Sequence, residues 1–174
     1  MKKYILSKLS NLLPFVAFIL LLGILCILDT QTDHLNKTSP SYISRQLGID
    51  LRNYDVITTY DSTGGNLGYM NSCTSFQIEN DSFESELIHN SNKWAPLPMN
   101  TDIRTLLYGG TKNGIYYNCE LLTRAGVPYI EHGYYYFVSR DSQSTSPLEP
   151  LSYDLYVAVY DSDTRILYYY ESEN

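Results

Sequence analysis

Cysteine and histidine side chains supply most nucleophiles, general bases and metal ligands of enzymes, and this chain has few of them. Its three histidines, His34, His89 and His132, are too widely separated in the sequence to form a recognised metal-binding motif. Neither Cys73 nor Cys119 lies in a nucleophile motif, and the Gly-x-Ser-x-Gly pattern of many hydrolases is absent from the sequence. The sequence therefore predicts no catalytic residue, no metal site and no cofactor.

Cys73 and Cys119 are the only cysteines outside an apolar N-terminal run that contains Cys26. In an oxidising compartment these two side chains are able to form a disulfide. Two unpaired thiols are the alternative, and the sequence does not separate the two.

Tyrosine is unusually abundant, with eighteen residues, thirteen of them from Tyr108 onward. Its ring gives a large, stiff and amphipathic contact area, which recognition surfaces favour. Consecutive strand residues alternate between faces, so the runs 134–136 and 168–170 place rings on both faces of a sheet. One interpretation is an exposed face on which Tyr135 and Tyr169 bind a glycan, a peptide or a protein. The alternative is a sheet whose two faces are both covered.

Trp94 is the only tryptophan and lies in an extended segment with prolines at positions 96 and 98. A lone aromatic side chain in such a segment is able to stack on a sugar ring. More often it fills a gap between a helix and a sheet, and the sequence favours that core role.

An acidic segment at residues 161–164, Asp-Ser-Asp-Thr, resembles the start of a calcium-binding loop. Such loops need about twelve residues with a central glycine and a closing glutamate. Only four residues separate two strand-like runs here, so the segment is interpreted as a turn.

The first half of the chain outside the apolar run predicts one hairpin and three short helical segments. Residues 41–47 form a helical turn or two ended by Gly48, and the alternating runs 54–61 and 69–79 form a hairpin with one buried face. A helix capped by Asp81 or Ser82 follows, with an apolar stripe at Phe83, Leu87 and Ile88, and a second begins at a Thr101 cap and ends before Gly109.

The C-terminal third predicts strands. Residues 133–140 and the pair of runs 153–160 and 165–171 are rich in aromatic and β-branched side chains, and 116–117 is a weaker candidate. Strands grouped in this way, without strict alternation with helices, indicate an α+β domain with a mainly antiparallel sheet.

The N-terminal run at residues 12–28 contains no charged side chain and as a helix would span roughly 25 Å. Lys2, Lys3 and Lys8 precede it, which predicts an N-terminus in the cytoplasm and a C-terminal domain outside. A cleaved signal peptide and a lipoprotein signal are the alternatives. The bulky residues 24–26 (Ile-Leu-Cys) fit neither cleavage site well, so an uncleaved signal anchor is favoured.

The net charge of the chain argues against a nucleic-acid partner. The net charge of the chain is −7. Without the three N-terminal lysines, the rest of the chain has nine basic and nineteen acidic residues and a net charge of −10. Such a surface repels the phosphates of nucleic acids and of anionic lipid headgroups. We therefore expect no nucleic-acid partner.

Four segments carry a recognisable pattern that covers roughly residues 45–172, namely 92–98 (NKWAPLP), 106–109 (LLYG), 133–141 (GYYYFVSRD) and 153–171 (YDLYVAVYDSDTRILYYYE). Together they resemble a family of small single-pass membrane-anchored bacterial proteins with a tyrosine-rich extracytoplasmic domain. The Trp-x-Pro-Leu-Pro segment and the Tyr-Asp-x-Asp-Thr hairpin are its most specific parts. The resemblance implies one extracytoplasmic domain and no particular activity. This chain departs from the pattern at residues 65–68, where Gly-Asn-Leu-Gly replaces a His-Gly-Asp-Gly-like stretch.

These observations predict an N-terminal transmembrane helix followed by an α+β domain with a mainly antiparallel sheet of about five to six strands and two or three short helices. The expected order is a basic cytoplasmic tail (1–11), a signal-anchor helix (12–28), a linker (29–40) and an extracytoplasmic domain (41–174). The predicted function is a membrane-tethered, non-enzymatic binding domain. A cell-envelope hydrolase with a dispersed site and an inhibitor or immunity protein for a secreted toxin are the alternatives.

Overall fold

A computed structural model describes residues 36–63, 70–90, 93–141, 146–148 and 152–173. The predicted tail (1–11) and anchor (12–28) lie outside the described residues. Within the described ranges, no helix is long and apolar enough to cross a membrane.

The described residues form four helices and eight strands, which confirms the α+β class. The helices are α1 (Pro40–Leu47), α2 (Phe83–His89), α3 (Thr101–Tyr108) and α4 (Leu121–Arg124). The strands are β1 (Asp55–Thr63), β2 (Met70–Gln77), β3 (Ala95–Pro96), β4 (Gly110–Lys112), β5 (Ile115–Tyr117), β6 (Gly133–Ser139), β7 (Leu155–Asp161) and β8 (Ile166–Glu173). The helix α4 is the one that the sequence pattern did not predict.

Six of the strands form one sheet in the order β1-β2-β8-β7-β6-β3, and every neighbouring pair is antiparallel. This confirms the predicted strand number and direction. The strands β4 and β5 pair separately. Because β7 lies near the middle of the sheet, all seven of its residues are buried, as expected for a strand covered on both faces.

Two hydrophobic cores lie on opposite faces of the sheet. The first core packs α1 and α2 on one face, and the second core packs α3 and α4 on the other. Alternate residues of β7 divide between them, with Ala158 in the first core and Val157 and Val159 in the second. Helices thus cover both faces of the sheet.

Local signals at the helix ends explain where two of the helices begin and end. The Ser39 side chain accepts a hydrogen bond from Tyr42 N, and Gly48 adopts the left-handed conformation after α1. The cap of α3 is Asn100, whose Oδ1 accepts from Ile103 N at 2.9 Å. The prediction of a Thr101 cap was wrong by one residue.

The stripe predicted for α2 is two residues wide rather than three. Phe83 and Leu87 are buried, but Ile88 is 52 % exposed. Seven residues make two turns of helix, and the second-turn face that carries Ile88 points away from the sheet.

The predicted hairpin is present, but the expectation of one buried face was wrong. Every residue from Asp55 to Asp61 in β1 is exposed, whereas Ser72 to Phe76 in β2 are all buried. The physical reason is position in the sheet: β2 lies between β1 and β8 with a core on each side, and β1 lies beyond the edge of both cores.

The last residues of the predicted linker belong to the folded domain. Ser39 and Pro40 start α1, and Lys37 forms ion pairs with Glu171 and Glu173 of β8. The residues of the linker before position 36 lie outside the described ranges.

Candidate functional site

Trp94 is a core residue. It is 3 % exposed, lies in the first core and packs against the Tyr136 ring with 5.9 Å between centroids. Its indole nitrogen has no hydrogen-bond partner among the described residues. This burial agrees with the core role favoured by the sequence.

Tyr135 and Tyr169 do not share a face. Tyr135 pairs with Val159, which in turn pairs with Tyr168, so the neighbour of Tyr135 across the sheet is Tyr168 rather than Tyr169. Tyr135 is partly buried against the second core, while Tyr169 is fully buried in the first. The interpretation of these two side chains as one exposed binding face was wrong, because helices cover both faces.

Cys73 and Cys119 are both free thiols, which agrees with the unpaired alternative. Cys73 is buried in the second core, and its burial raises the pKa of the thiol to about 12. Cys119 is partly exposed, and its Sγ lies 3.4 Å from the Tyr153 hydroxyl. A buried thiol that stays protonated is a poor nucleophile.

The acidic segment at residues 161–164 is a turn between β7 and β8. Asp161 accepts hydrogen bonds from Asp163 N at 2.9 Å and from the Thr164 hydroxyl at 2.6 Å. These bonds occupy both carboxylate oxygens of Asp161 within the turn itself. The turn interpretation is confirmed.

The most concentrated buried charge is Glu171 in β8, which is 1 % exposed. Arg140 donates to its Oε1 at 2.9 Å, the Tyr42 hydroxyl donates to the same oxygen at 2.9 Å, and the Tyr169 hydroxyl donates to Oε2 at 2.7 Å. Lys37 lies 3.7 Å from Oε1. We call these five residues the Glu171 cluster.

Both carboxylate oxygens of Glu171 accept hydrogen bonds within the cluster. These bonds and the burial of the cluster shift the pKa values of its members. Burial, and then the Glu171 charge, raise the pKa of Tyr42 to about 12, so its hydroxyl stays a donor. Burial acts to lower the pKa of Arg140, but hydrogen bonds to Glu171 and Asp154 outweigh it and the pKa is raised. The Glu171 cluster therefore joins α1 to the last strand through the Tyr42 hydroxyl.

Two shallow clefts open on the described surface. One, of about 290 Å³, is lined by Asn71, Asn118, Cys119, Leu121, Arg124, Tyr153 and Ser172. Neither a histidine nor a carboxylate is among these described lining residues, so the thiol has no general base beside it. Across the described ranges, no group of three or more His, Cys, Asp or Glu side chains is arranged to hold a metal ion.

The second cleft, of about 320 Å³, lies where β1 begins and β2 ends. It is lined by Asn53, Tyr54, Asp55, Gln77, Glu79 and Asn80. Neither Asp55 nor Glu79 has an ion-pair partner within the described part of the chain. We call it the acidic cleft, and it is suited to a positively charged side chain.

Next to the acidic cleft, β1 is the longest exposed edge of the sheet. Val56, Ile57 and Tyr60 are 43 %, 46 % and 47 % exposed, respectively. Sequence reasoning missed this surface, although its signal was present: β1 (DVITTYDST) contains Thr, Ser and Asp at most positions, as is typical of a strand without a core beneath it.

Comparisons of this chain with family models, with curated proteins and with solved structures find no match. The resemblance to small membrane-anchored proteins therefore stays a prediction based on its four segments.

Proposed function

We propose that this protein is a non-enzymatic binding module, held outside the cytoplasm by a membrane anchor at residues 12–28, that recognises a protein partner through β1. The observation that carries the proposal is the exposure of β1 on both of its faces at the edge of an otherwise covered sheet. An exposed strand edge offers unpaired backbone N–H and C=O groups, which other chains pair with readily.

The contrast with the opposite edge supports a specific role for β1. The strand β3 at that edge has only two residues, and Pro96 is one of them. Short length and proline are the usual means by which proteins block pairing at a sheet edge. By comparison, β1 has nine residues, none of them proline.

An inhibitor of a basic secreted toxin is one form that such a module takes. The unpaired carboxylates of the acidic cleft favour a partner of positive charge. The hydrolase alternative has less support, because the described residues that line the cleft of Cys119 include neither a histidine nor a carboxylate.

Photo-crosslinking in intact cells tests the proposal. A photoreactive amino acid placed at Ile57 or Tyr60 of the full-length protein should give discrete protein adducts, because these side chains lie on the binding strand. Ile88 and Tyr116 are matched controls, since they are exposed to a similar or greater extent but lie away from β1. Adducts of equal yield from all four positions, or none from β1, would contradict the proposal.

A further inference from the structure

One backbone hydrogen bond and the strand registers determine which way the N–H and C=O groups of each strand point, and a second hydrogen bond agrees with the result. Arg140 N donates to Asp154 O at 2.8 Å, so even-numbered residues of β7 direct their N–H and C=O toward β6 and odd-numbered residues toward β8. The register transfers this alternation to β8 and β2. It agrees with the bond from Ile78 N to Arg165 O at 2.9 Å, which joins the residue after β2 to the residue before β8 and continues the same even-to-odd pairing.

The same alternation identifies the free backbone groups of β1. Odd-numbered residues of β2 are directed toward β1, where they pair with Thr58 and Tyr60. The residues between and after these two, Thr59, Asp61 and Thr63, therefore direct their N–H and C=O groups away from the sheet. A bulge at Ile57 ends the regular pairing on one side, so residues 58–63 form the uninterrupted part of the edge.

Charge at this edge selects the partner. Asp61 lies on β1, and Asp55 and Glu79 line the acidic cleft at its beginning. None of the three has a basic partner in the described ranges. A segment lying along the edge meets negative charge at both ends of the strand, so complementarity requires lysine or arginine in that segment.

We infer that the outer edge of β1 takes up an extended basic segment of a partner protein as a seventh strand of the sheet, with one basic side chain of that segment in the acidic cleft. This inference rests on the proposed function and specifies its partner. Backbone hydrogen bonds to Thr59, Asp61 and Thr63 supply the pairing, and the carboxylates supply the selectivity.

A second copy of this chain is a poorer occupant of the same edge. Within residues 58–63, antiparallel pairing of two β1 strands through their outward residues is centred on Asp61, which places Asp61 of each copy opposite Asp61 of the other. Like charges directly opposite one another destabilise strand pairing. Dimerisation that depends on β1 would therefore contradict the inference.

A peptide-binding measurement with a substitution at one outward position tests the pairing. The full-length protein in detergent micelles is titrated into a fluorescent peptide of alternating lysine and valine residues. Thr59→Pro removes an outward N–H that no described residue accepts from, so it should weaken binding by about tenfold or more. Thr59→Ala keeps the N–H and serves as the matched control, with binding within about twofold of the parent.

Three further measurements separate pairing from simple charge attraction. The same peptide with N-methylated backbone amides keeps its charge and should lose binding, and its glutamate counterpart should bind at least about tenfold more weakly. Asp61→Lys combined with Asp55→Lys should reverse the preference between the two peptides. Trp94 fluorescence verifies that each variant is folded, since Trp94 is the only tryptophan and is buried.

The outcomes also distinguish this inference from the proposed function. If the Thr59→Pro variant and the N-methylated peptide bind as the parents do, strand addition is wrong even when β1 still gives crosslinks in cells. If Ile57 and Tyr60 give no crosslinks, the proposed function itself fails.

Discussion

At the scale of single residues, the Glu171 cluster is the feature that the fold most depends on. A buried carboxylate is stable only when charged and hydrogen-bonding partners surround it. Those partners come from positions distant in sequence, 31 residues away for Arg140 and 129 for Tyr42. No pattern near Glu171 distinguishes it from the other eighteen acidic residues, so its role could not be predicted from the sequence.

Removing the charge of Glu171 should destabilise the domain. Glu171→Gln leaves Arg140 and Lys37 without their shared buried partner, and we expect a loss of about 1–3 kcal/mol in the free energy of unfolding. Urea unfolding of the full-length protein in detergent, followed by Trp94 fluorescence, measures this. Asp50→Asn breaks an exposed ion pair with Arg52 and should give no measurable change. Equal midpoints for the two variants would contradict the structural role of Glu171.

Buried hydroxyl and thiol groups should make the protein sensitive to alkaline pH. The pKa values of Tyr42, Tyr170 and Cys73 are each raised to about 12, chiefly by burial. A group whose folded pKa exceeds its unfolded pKa binds its proton more tightly when folded, so its contribution is complete below the unfolded pKa and is lost above it. The contribution of these three groups should therefore be complete up to about pH 9, and stability should fall between about pH 9 and 12.

Two tyrosine variants provide the check on this pH dependence. Tyr42→Phe removes one titrating group, so the fall in unfolding free energy between about pH 10 and 12 should become shallower. Tyr116→Phe alters a side chain that is 67 % exposed and should leave the slope unchanged. A stability that is flat from pH 9 to 12 in the parent would refute the assignment.

At the scale of secondary structure, β1 should distinguish inward from outward backbone groups in its response to proline. Tyr60 pairs with Cys73 and directs its N–H into the sheet, so Tyr60→Pro should cost about 2 kcal/mol or more. Thr59→Pro should cost much less, because its N–H points outward. Thermal unfolding of both variants measures the difference. A larger loss for Thr59→Pro would mean that the hydrogen-bond alternation assigned to β1 is inverted.

The start of β6 depends on the absence of a side chain at Gly133. A Cβ there would lie 1.9 Å from the Tyr160 carbonyl oxygen of β7, and the backbone φ is +135°. Gly133→Ala should therefore cost about 3 kcal/mol or more. Gly114→Ala is the matched control: its φ is +78°, with open space around it, and about 1 kcal/mol is expected. Similar midpoints for the two variants in urea unfolding would refute the close approach.

Sequence patterns identified most elements because each pattern is local. The aromatic and β-branched content of β7 and β8, the glycine that ends α1, and the turn at residues 161–164 all depend on neighbours within a few positions. The alternating pattern of β1 did not reveal its exposure, because alternation does not show which faces another element covers. The Thr, Ser and Asp residues at most of its positions were the signal available. Four residues of α4 are too few to show a helical period.

At the scale of the whole molecule, the tyrosines are explained by a sheet covered on two sides. Tyrosine supplies bulk to both cores and a hydroxyl that reaches a polar partner, as Tyr169 does with Glu171. Of the two residues interpreted as a tyrosine binding face, Tyr169 is therefore fully buried and Tyr135 is partly buried. Binding is proposed instead at β1, where only one of the eighteen tyrosines, Tyr60, lies.

The proposed membrane topology gives a prediction for intact cells. Protease added outside should digest the C-terminal domain and remove a C-terminal tag, while the protein stays with the membrane fraction after an alkaline wash. Partial unfolding by heat before treatment is the control for intrinsic resistance of the folded domain. Recovery of the tagged protein in the soluble fraction, or full protection of the tag in unbroken cells, would refute the anchor.

Lys37 holds the first described residues against the end of β8 through its ion pairs with Glu171 and Glu173. If residues 12–28 form the proposed anchor, the eight peptide links from residue 28 to residue 36 would keep that end of the sheet within about 28 Å of the bilayer surface. The register places Glu173 beside Met70 and Ile166 beside Gln77, so the acidic cleft lies at the opposite end of the strands, about 23 Å farther along. In a membrane-anchored molecule the acidic cleft would thus lie at the end of the sheet farther from the anchor. A partner protein would reach the cleft there before it reaches the lipid.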